Sequence, residues 1–402
     1  MLRTVNERII FGMLEKLSFG TLILTDAKGD QRRFGDQSNY SDLQADIQIL
    51  DARVYADILR GGDIAFAECF MDERVTTNDL PALLKLFAKN RQIIEQAIHG
   101  NWWGVLFDRL LHLFRRNSKA QAKKNIEAHY DLGNDFYKLW LDPSMTYSSA
   151  LFTADANCLN SAQQAKYERV LAQLIPPSSD SSASQKILEI GCGWGGFAEV
   201  AAKAGREVTG LTLSTEQLKY AKERLDKLGV SGQADLKLQD YRDEGVTTPH
   251  QYDAIASIEM FEAVGEAYWP SYFECVARNL KNGGRACIQS IVIRHDLFAR
   301  YRKGTDFIQR YIFPGGMLPS PEVFSRTASK HGLRVVDEFS FGQDYARTLA
   351  AWRRYFLEKL TQIRTLGYSE KFIRMWHFYL AYCEAGFEMG DTDVMHFTLE
   401  KI

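Results

Sequence analysis

Glu189, Gly191, Gly193 and Gly195 fall within Lys186-Ile-Leu-Glu-Ile-Gly-Cys-Gly-Trp-Gly-Gly-Phe197, and residues of these types at this spacing suit a nucleotide. The apolar run Ile187, Leu188, Ile190 reads as a buried parallel strand, and Phe197 to Ala204 as a helix. Glycines between them let the chain turn tightly and let a ligand approach where a Cβ would stand. Gly191, Gly193 and Gly196 also satisfy G-x-G-x-x-G, the dinucleotide pattern. That pattern expects an acid about 20 residues on, to hold ribose hydroxyls. Here the next strand, Glu207 to Leu213, ends in Thr212 and Ser214 with no acid at its tip, and Glu216 and Gln217 follow on the next helix. At this point NAD and a glycine turn with no ligand both remain open.

An acid entering E-x-G-x-G resembles the nucleotide loop of class I methyltransferases that use S-adenosylmethionine (SAM). Two further acidic groups stand after later strands. Asp240 and Tyr241 follow the third strand, in a stretch that alone would be a charged surface turn. Glu259 and Glu262 lie three apart after the fourth, a spacing that also suits one face of a helix.

These residues need a scaffold. The 402-residue chain is long enough for two domains. A net charge of −2 favours neither nucleic acid nor an anionic surface. The six cysteines show no C-x-x-C spacing, which argues for reduced thiols in the cytoplasm and against a zinc site. No apolar run approaches the 18 or so residues of a spanning helix. Residues 126 to about 310 alternate strand and helix, with strands at 187–190, 207–213, 234–239, 252–258 and 285–292. This predicts an α/β fold with a doubly wound sheet. Residues 1–100 read as a small α+β domain, and 320–402 as helices bracketing one strand near 333–337. The 101–125 segment is apolar at helical spacing in its first half and basic in its second, as suits either an interfacial segment or a connecting helix.

Read together, AHYDLGNDFY (128–137), WLDPSMTYS (140–148), EIGCGWGG (189–196) and GLTLSTEQ (210–217) resemble the cyclopropane-fatty-acyl-phospholipid synthase family of SAM-dependent methyltransferases. So do QDYRD (239–243), SIEMFEAVG (257–265), YIFPGGMLPS (311–320), FGQDYARTLAAW (341–352) and FYLAYCEAGF (378–387). The resemblance implies a catalytic domain over 126–402. It also implies SAM contacts from Tyr147, Ser148, Glu189, Gly191, Gly193, Gly195, Thr212, Ser214, Gln217, Asp240 and Tyr241. The implied reaction methylates an alkene, leaves a carbocation that aromatic faces stabilise, and then removes a proton. Tyr130, Phe136, Tyr137, Tyr311, Phe313 and Tyr345 are the aromatic candidates. In the family the base is a bicarbonate ion, whose site maps to Glu262, the Ile291 backbone and Tyr345. Cys383 aligns with a cysteine sometimes assigned as catalytic, although nothing in the mechanism needs a thiolate.

Two positions depart from the family pattern. Ser149 stands where YSCAY has cysteine, and Gln289 where L-H-T-I has histidine. A weaker base would let the cation live longer and end as a methylene or methyl branch. The expected protein is therefore a SAM-dependent enzyme acting on unsaturated phospholipid acyl chains, at the inner face of the membrane by peripheral contact, and without nucleic acid. The N-terminal domain and the 101–125 segment would engage membrane or form a homodimer. A methyltransferase for a small soluble acceptor and a non-catalytic lipid-binding protein are the remaining alternatives.

Overall fold

Strands that are apolar on both faces need cover on both faces, and this sequence supplies it with helices between strands. The computed structural model describes residues 4–35, 43–98, 132–175 and 185–402. The 101–125 segment, Tyr130 and the 176–184 loop lie outside the described residues. The chain forms two units.

One unit contains the strands β5 (Lys186–Ile190), β6 (Glu207–Thr212), β7 (Ala234–Leu238), β8 (Tyr252–Ile258), β9 (Leu280–Ile293), β10 (Leu333–Ser340) and β11 (Thr392–Lys401). Their order is β10-β11-β9-β8-β5-β6-β7, with β11 antiparallel to both neighbours and β5 to β9 all parallel. Ile187, Leu188 and Ile190 are at most 1% exposed. Two apolar clusters include residues of this sheet: one centres on Phe261, Tyr272, Phe273 and Phe324, the other on Val170, Phe197, Ala201 and Leu225. The connections from β5 and from β8 leave in opposite directions, so the sheet has a switch point between these strands. Ligands of open α/β sheets bind outside the strand carboxyl ends at such a point.

Strand β11 corrects the expectation that the C-terminal region holds a single strand. Its apolar residues Val394, Phe397 and Leu399 are interrupted by His396 and Thr398, all fully buried, so the sequence shows neither a period of two nor an unbroken apolar run.

The other unit contains β1 (Thr21–Thr25), β2 (Gln31–Phe34), β3 (Gln44–Ile49) and β4 (Val75–Thr76), ordered β2-β1-β3-β4. β1 and β2 form an antiparallel hairpin, and the helix Leu80–Lys89 is capped by Asp79, which accepts from the Ala82 N–H at 2.9 Å. The helix Val54–Met71 kinks at Gly62 (φ 60°). Residues 303–312 and 349–391 also belong here, so this unit is built from three stretches of chain. Helix Glu370–Glu388 packs Phe378 against Phe66 and Phe70, with ring centroids 6.0 and 5.7 Å apart. The 126–402 boundary read from the sequence thus joins stretches that the fold divides between two units.

Candidate functional site

The glycine loop follows β5. Gly191, Gly193 and Gly195 have φ of 85°, 51° and 81°, a region that side chains disfavour. Backbone bonds from Gly191 and Cys192 to the Leu211 carbonyl (3.0 and 2.8 Å) tie the loop to β6. A Cβ on Gly193 would meet nothing within 4 Å, whereas one on Gly191 would strike Met260 at 2.9 Å. The Gly193 backbone therefore faces open space, which fits the close approach of a nucleotide. Glu189 is 3% exposed, and burial pushes its carboxyl up to about 8, against the opposing charge of Lys166.

At the ends of β6 and β7 the predicted contacts are partly engaged with one another. Thr212 donates its hydroxyl to the Gln217 side-chain oxygen at 3.1 Å. Ser214 caps the following helix by accepting from the Gln217 N–H at 3.2 Å. Asp240 is gripped by the Arg242 guanidinium at 2.8 and 2.6 Å, so this expected SAM contact is half of an ion pair. Tyr241 packs edge-on to Tyr272. Tyr147 lies in an aromatic cluster with Tyr137 and Trp140, and Tyr137 also meets Trp194.

A second group gathers at the ends of β8 and β9, and its centre is Glu259. The Glu259 N–H donates to the Gln289 carbonyl at 2.9 Å, which fixes the residue just past β8. Its φ is 49°, a strained value for a residue with a Cβ. Its carboxylate accepts from the Ser149 N–H (2.8 Å), the Gln289 amide (2.7 Å) and the Tyr345 hydroxyl (2.6 Å). Gln289 is held in turn, since its side-chain oxygen lies 2.9 Å from His396 Nε2. That oxygen can only accept, so His396 carries its proton on Nε2. Burial keeps His396 neutral by driving its pKa well below the usual value.

Glu262 faces the neighbouring position. It accepts from the Ile291 N–H through Oε1, and its buried Oε2 has no hydrogen-bond partner among the described residues. Burial, and then the charge of Glu259, push it up to about 8. Glu259 is also raised, first by burial, while its three donors and Lys166 pull it back.

Each residue from 148 to 150, and Phe152, is pinned in place. Ser148 accepts at its carbonyl from Gln163 (2.8 Å) and at its hydroxyl from Lys166 (2.7 Å). Ser149 donates to Glu259, the Ala150 N–H donates to Thr348 (3.1 Å) and the Phe152 N–H to Asp344 (3.2 Å). The helix Gly342–Glu358 carries Asp344, Tyr345 and Thr348. Its first N–H donates to Asp393 at 2.8 Å, and a Cβ on Gly342 would strike the same carboxylate at 2.5 Å.

The structure therefore gathers Ser149, Glu262, Gln289, Ile291 and Tyr345 in one unit. Cys383 and Tyr311 belong to the other, where Tyr311 donates to Glu68 and Glu384, beside Cys383, pairs with Arg353. The sequence reading missed Lys166, Gln163 and His396, and saw in Glu259 only a possible face partner of Glu262. Lys166 is fully buried, 4.2 Å over the Tyr167 ring, and burial lowers it to about 7. A signal existed: Gln163, Lys166, Tyr167 and Val170 recur at helical spacing, so two polar residues lie on the buried stripe.

Residues 117–397 match the family model for mycolic acid cyclopropane synthetase. The chain is 36% identical to the tuberculostearic acid methyltransferase UfaA1 of Mycobacterium tuberculosis, over 85% of this chain and 79% of that protein. It is 35% identical to the cyclopropane-fatty-acyl-phospholipid synthase of Escherichia coli K12, over 86% and 85%. Among solved structures it is similar to the mycolic acid cyclopropane synthase CmaA1 complexed with SAH and CTAB. The TM-score is 0.63 and the identity 31%, over 69% of this chain and 98% of that one.

Proposed function

The chain belongs to the mycolic acid cyclopropane synthetase family, and from that premise we propose that it transfers a methyl-derived carbon from SAM to the double bond of a phospholipid acyl chain. It is a SAM-dependent methyltransferase of the class I fold that modifies unsaturated acyl chains. The observation that carries the finer reading is the pairing, at one end of one sheet, of the Gly193 loop with the Glu259–Glu262 pocket.

SAM supplies the methyl group as an electrophile. Gly191, Gly193 and Gly195 would hold its aminoacyl part, Tyr147, Ser148 and Glu189 would close over it, and Thr212, Ser214, Gln217, Asp240 and Tyr241 would face its nucleoside. Alkenes are weak nucleophiles, so the site must orient the chain and exclude water. Phe136, Tyr137 and Trp140, all fully buried, offer ring faces suited to a cationic carbon.

The bicarbonate ion implied by the family fits this pocket poorly. The Ile291 N–H is already committed to Glu262, and the Tyr345 hydroxyl to Glu259.

A cyclopropane is the first product reading. A methylene or methyl branch is the second, favoured by Gln289 in place of an imidazole and by the 36% identity to a tuberculostearic acid methyltransferase. The N-terminal unit and the 101–125 segment would meet the membrane or a second copy. Among the described residues no helix is long and apolar enough to cross a membrane. The reading is tested by offering one monounsaturated chain as phospholipid vesicles, as free acid and as thioester. Modification of the vesicle lipid is expected, and modification of the free acid or thioester alone would overturn the phospholipid assignment.

A further inference from the structure

We propose that Glu259 is itself the base of the reaction, a built-in carboxylate standing where relatives with a different pocket would need a diffusible anion. This rests on the reading of the protein as an acyl-chain methyltransferase.

An anion-binding pocket is a set of N–H and O–H groups converging on one point. Here the Ser149 N–H, the Gln289 amide and the Tyr345 hydroxyl converge on the Glu259 carboxylate at 2.8, 2.7 and 2.6 Å. These include both positions that depart from the family pattern. Ser149 contributes through its backbone and sends its hydroxyl to the Ala150 carbonyl at 3.0 Å, so no thiol is needed. Gln289 contributes as a donor only, because His396 holds its oxygen. An ion arriving from solvent would find all three donors taken.

The geometry also leaves Glu259 able to act. Its Oε1 accepts two hydrogen bonds and its Oε2 one among the described residues, whereas a carboxylate has about four acceptor directions. One direction on Oε2 is left for an incoming proton. The positive φ of Glu259 is backbone strain retained at this residue, and the donor set explains why it persists. The buried Lys166 supplies a compensating positive charge. Burial and the charge of Glu259 raise the Glu262 carboxyl, which favours its protonated form beside an ionised Glu259.

The step balances. The alkene π electrons bond to the methyl carbon as its bond to sulfur breaks, and the sulfur keeps that pair as a neutral thioether. The other alkene carbon becomes a cation. Glu259 then takes a proton from the transferred methyl group, and the C–H pair forms the last ring bond. If a hydride first moves to the cationic carbon, the same deprotonation gives an exocyclic methylene. Glu259 ends as a carboxylic acid and returns its proton to solvent before the next turnover.

The test uses the full chain with monounsaturated phospholipid vesicles, in buffer rigorously freed of carbon dioxide and then with bicarbonate restored. Glu259→Gly removes the carboxylate at a φ that glycine tolerates. SAM binding by calorimetry reports whether each variant keeps its fold. The unaltered protein is expected to turn over equally with and without bicarbonate. Glu259→Gly is expected to bind SAM normally, to lose about 10²–10⁴-fold in rate, and to regain rate as bicarbonate or formate is added. An unaltered protein that stops without bicarbonate, or a Glu259→Gly protein at full rate without it, would overturn the assignment and leave the lipid reading intact. An unaltered protein that binds SAM but modifies no lipid in either buffer would overturn both.

Discussion

At the scale of single residues, the site is built from groups whose charge is set by burial. Glu262 is held up to about 8 from 4.5, so the folded protein binds its proton more tightly than the unfolded chain does. The stability it contributes is therefore full below pH about 4.5 and lost as pH rises through about 8. Urea unfolding of the protein and of Glu262→Gln should show it: the variant is expected to lose less stability over that window, and identical slopes would mean that Glu262 titrates normally. Lys166 works the other way, since its charge favours ionised Glu259. Lys166→Met should raise the pKa of Glu259 and move the acid limb of the pH–rate profile to higher pH. An unmoved limb would separate Lys166 from the base. Gly193→Ala would place a methyl in the open space before the loop at φ 51°. It should cost about 1–2 kcal/mol of stability and weaken SAM binding measurably, whereas unchanged affinity would place the ligand elsewhere.

At the scale of elements, precision comes from pieces distant in sequence. The loop after Tyr147 is fixed by the first two turns of the helix Gly342–Glu358, and that helix is fixed by Asp393 at the start of β11. Thr348→Val would strand the buried Ala150 N–H, at about 1–3 kcal/mol, and should slow turnover more than it weakens SAM binding. A loss in SAM affinity alone would contradict that. The parallel strands are readable in the sequence because buried strands are rich in apolar residues, as Ile187, Leu188 and Ile190 show around the single acid Glu189. β11 is not, because two of its buried residues, His396 and Thr398, are polar. The donors of the pocket were named one by one by family likeness, but what they donate to was hidden. Glu259 and Glu262 look equivalent in sequence, and only the register that sets Ile258 beside Gln289 distinguishes them.

At the scale of the molecule, reading along the chain assigned the last third to one domain, whereas residues 349–391 pack with the N-terminal unit. Sequence order cannot show such a return, because the buried face of Glu370–Glu388 looks the same whichever partner covers it. A fragment beginning at residue 132 would expose Ile373, Trp376 and Phe378, which are now buried, and is expected to be insoluble. A soluble, active fragment would show that these helices have another cover.

The reaction proposed for this protein adds a methyl carbon to an alkene and then deprotonates it. It is tested most directly by incubating the protein with trideuteromethyl SAM and monounsaturated phospholipid vesicles, then weighing the released acyl chains by mass spectrometry. The expected chain gains one carbon and keeps two of the three deuteriums, in a ring or an exocyclic methylene. An acyl chain that gains no carbon, or label found only outside the acyl chain, would contradict alkene methylation, and a chain keeping all three deuteriums as a methyl branch would place the proton loss on the chain and overturn deprotonation of the methyl group by Glu259.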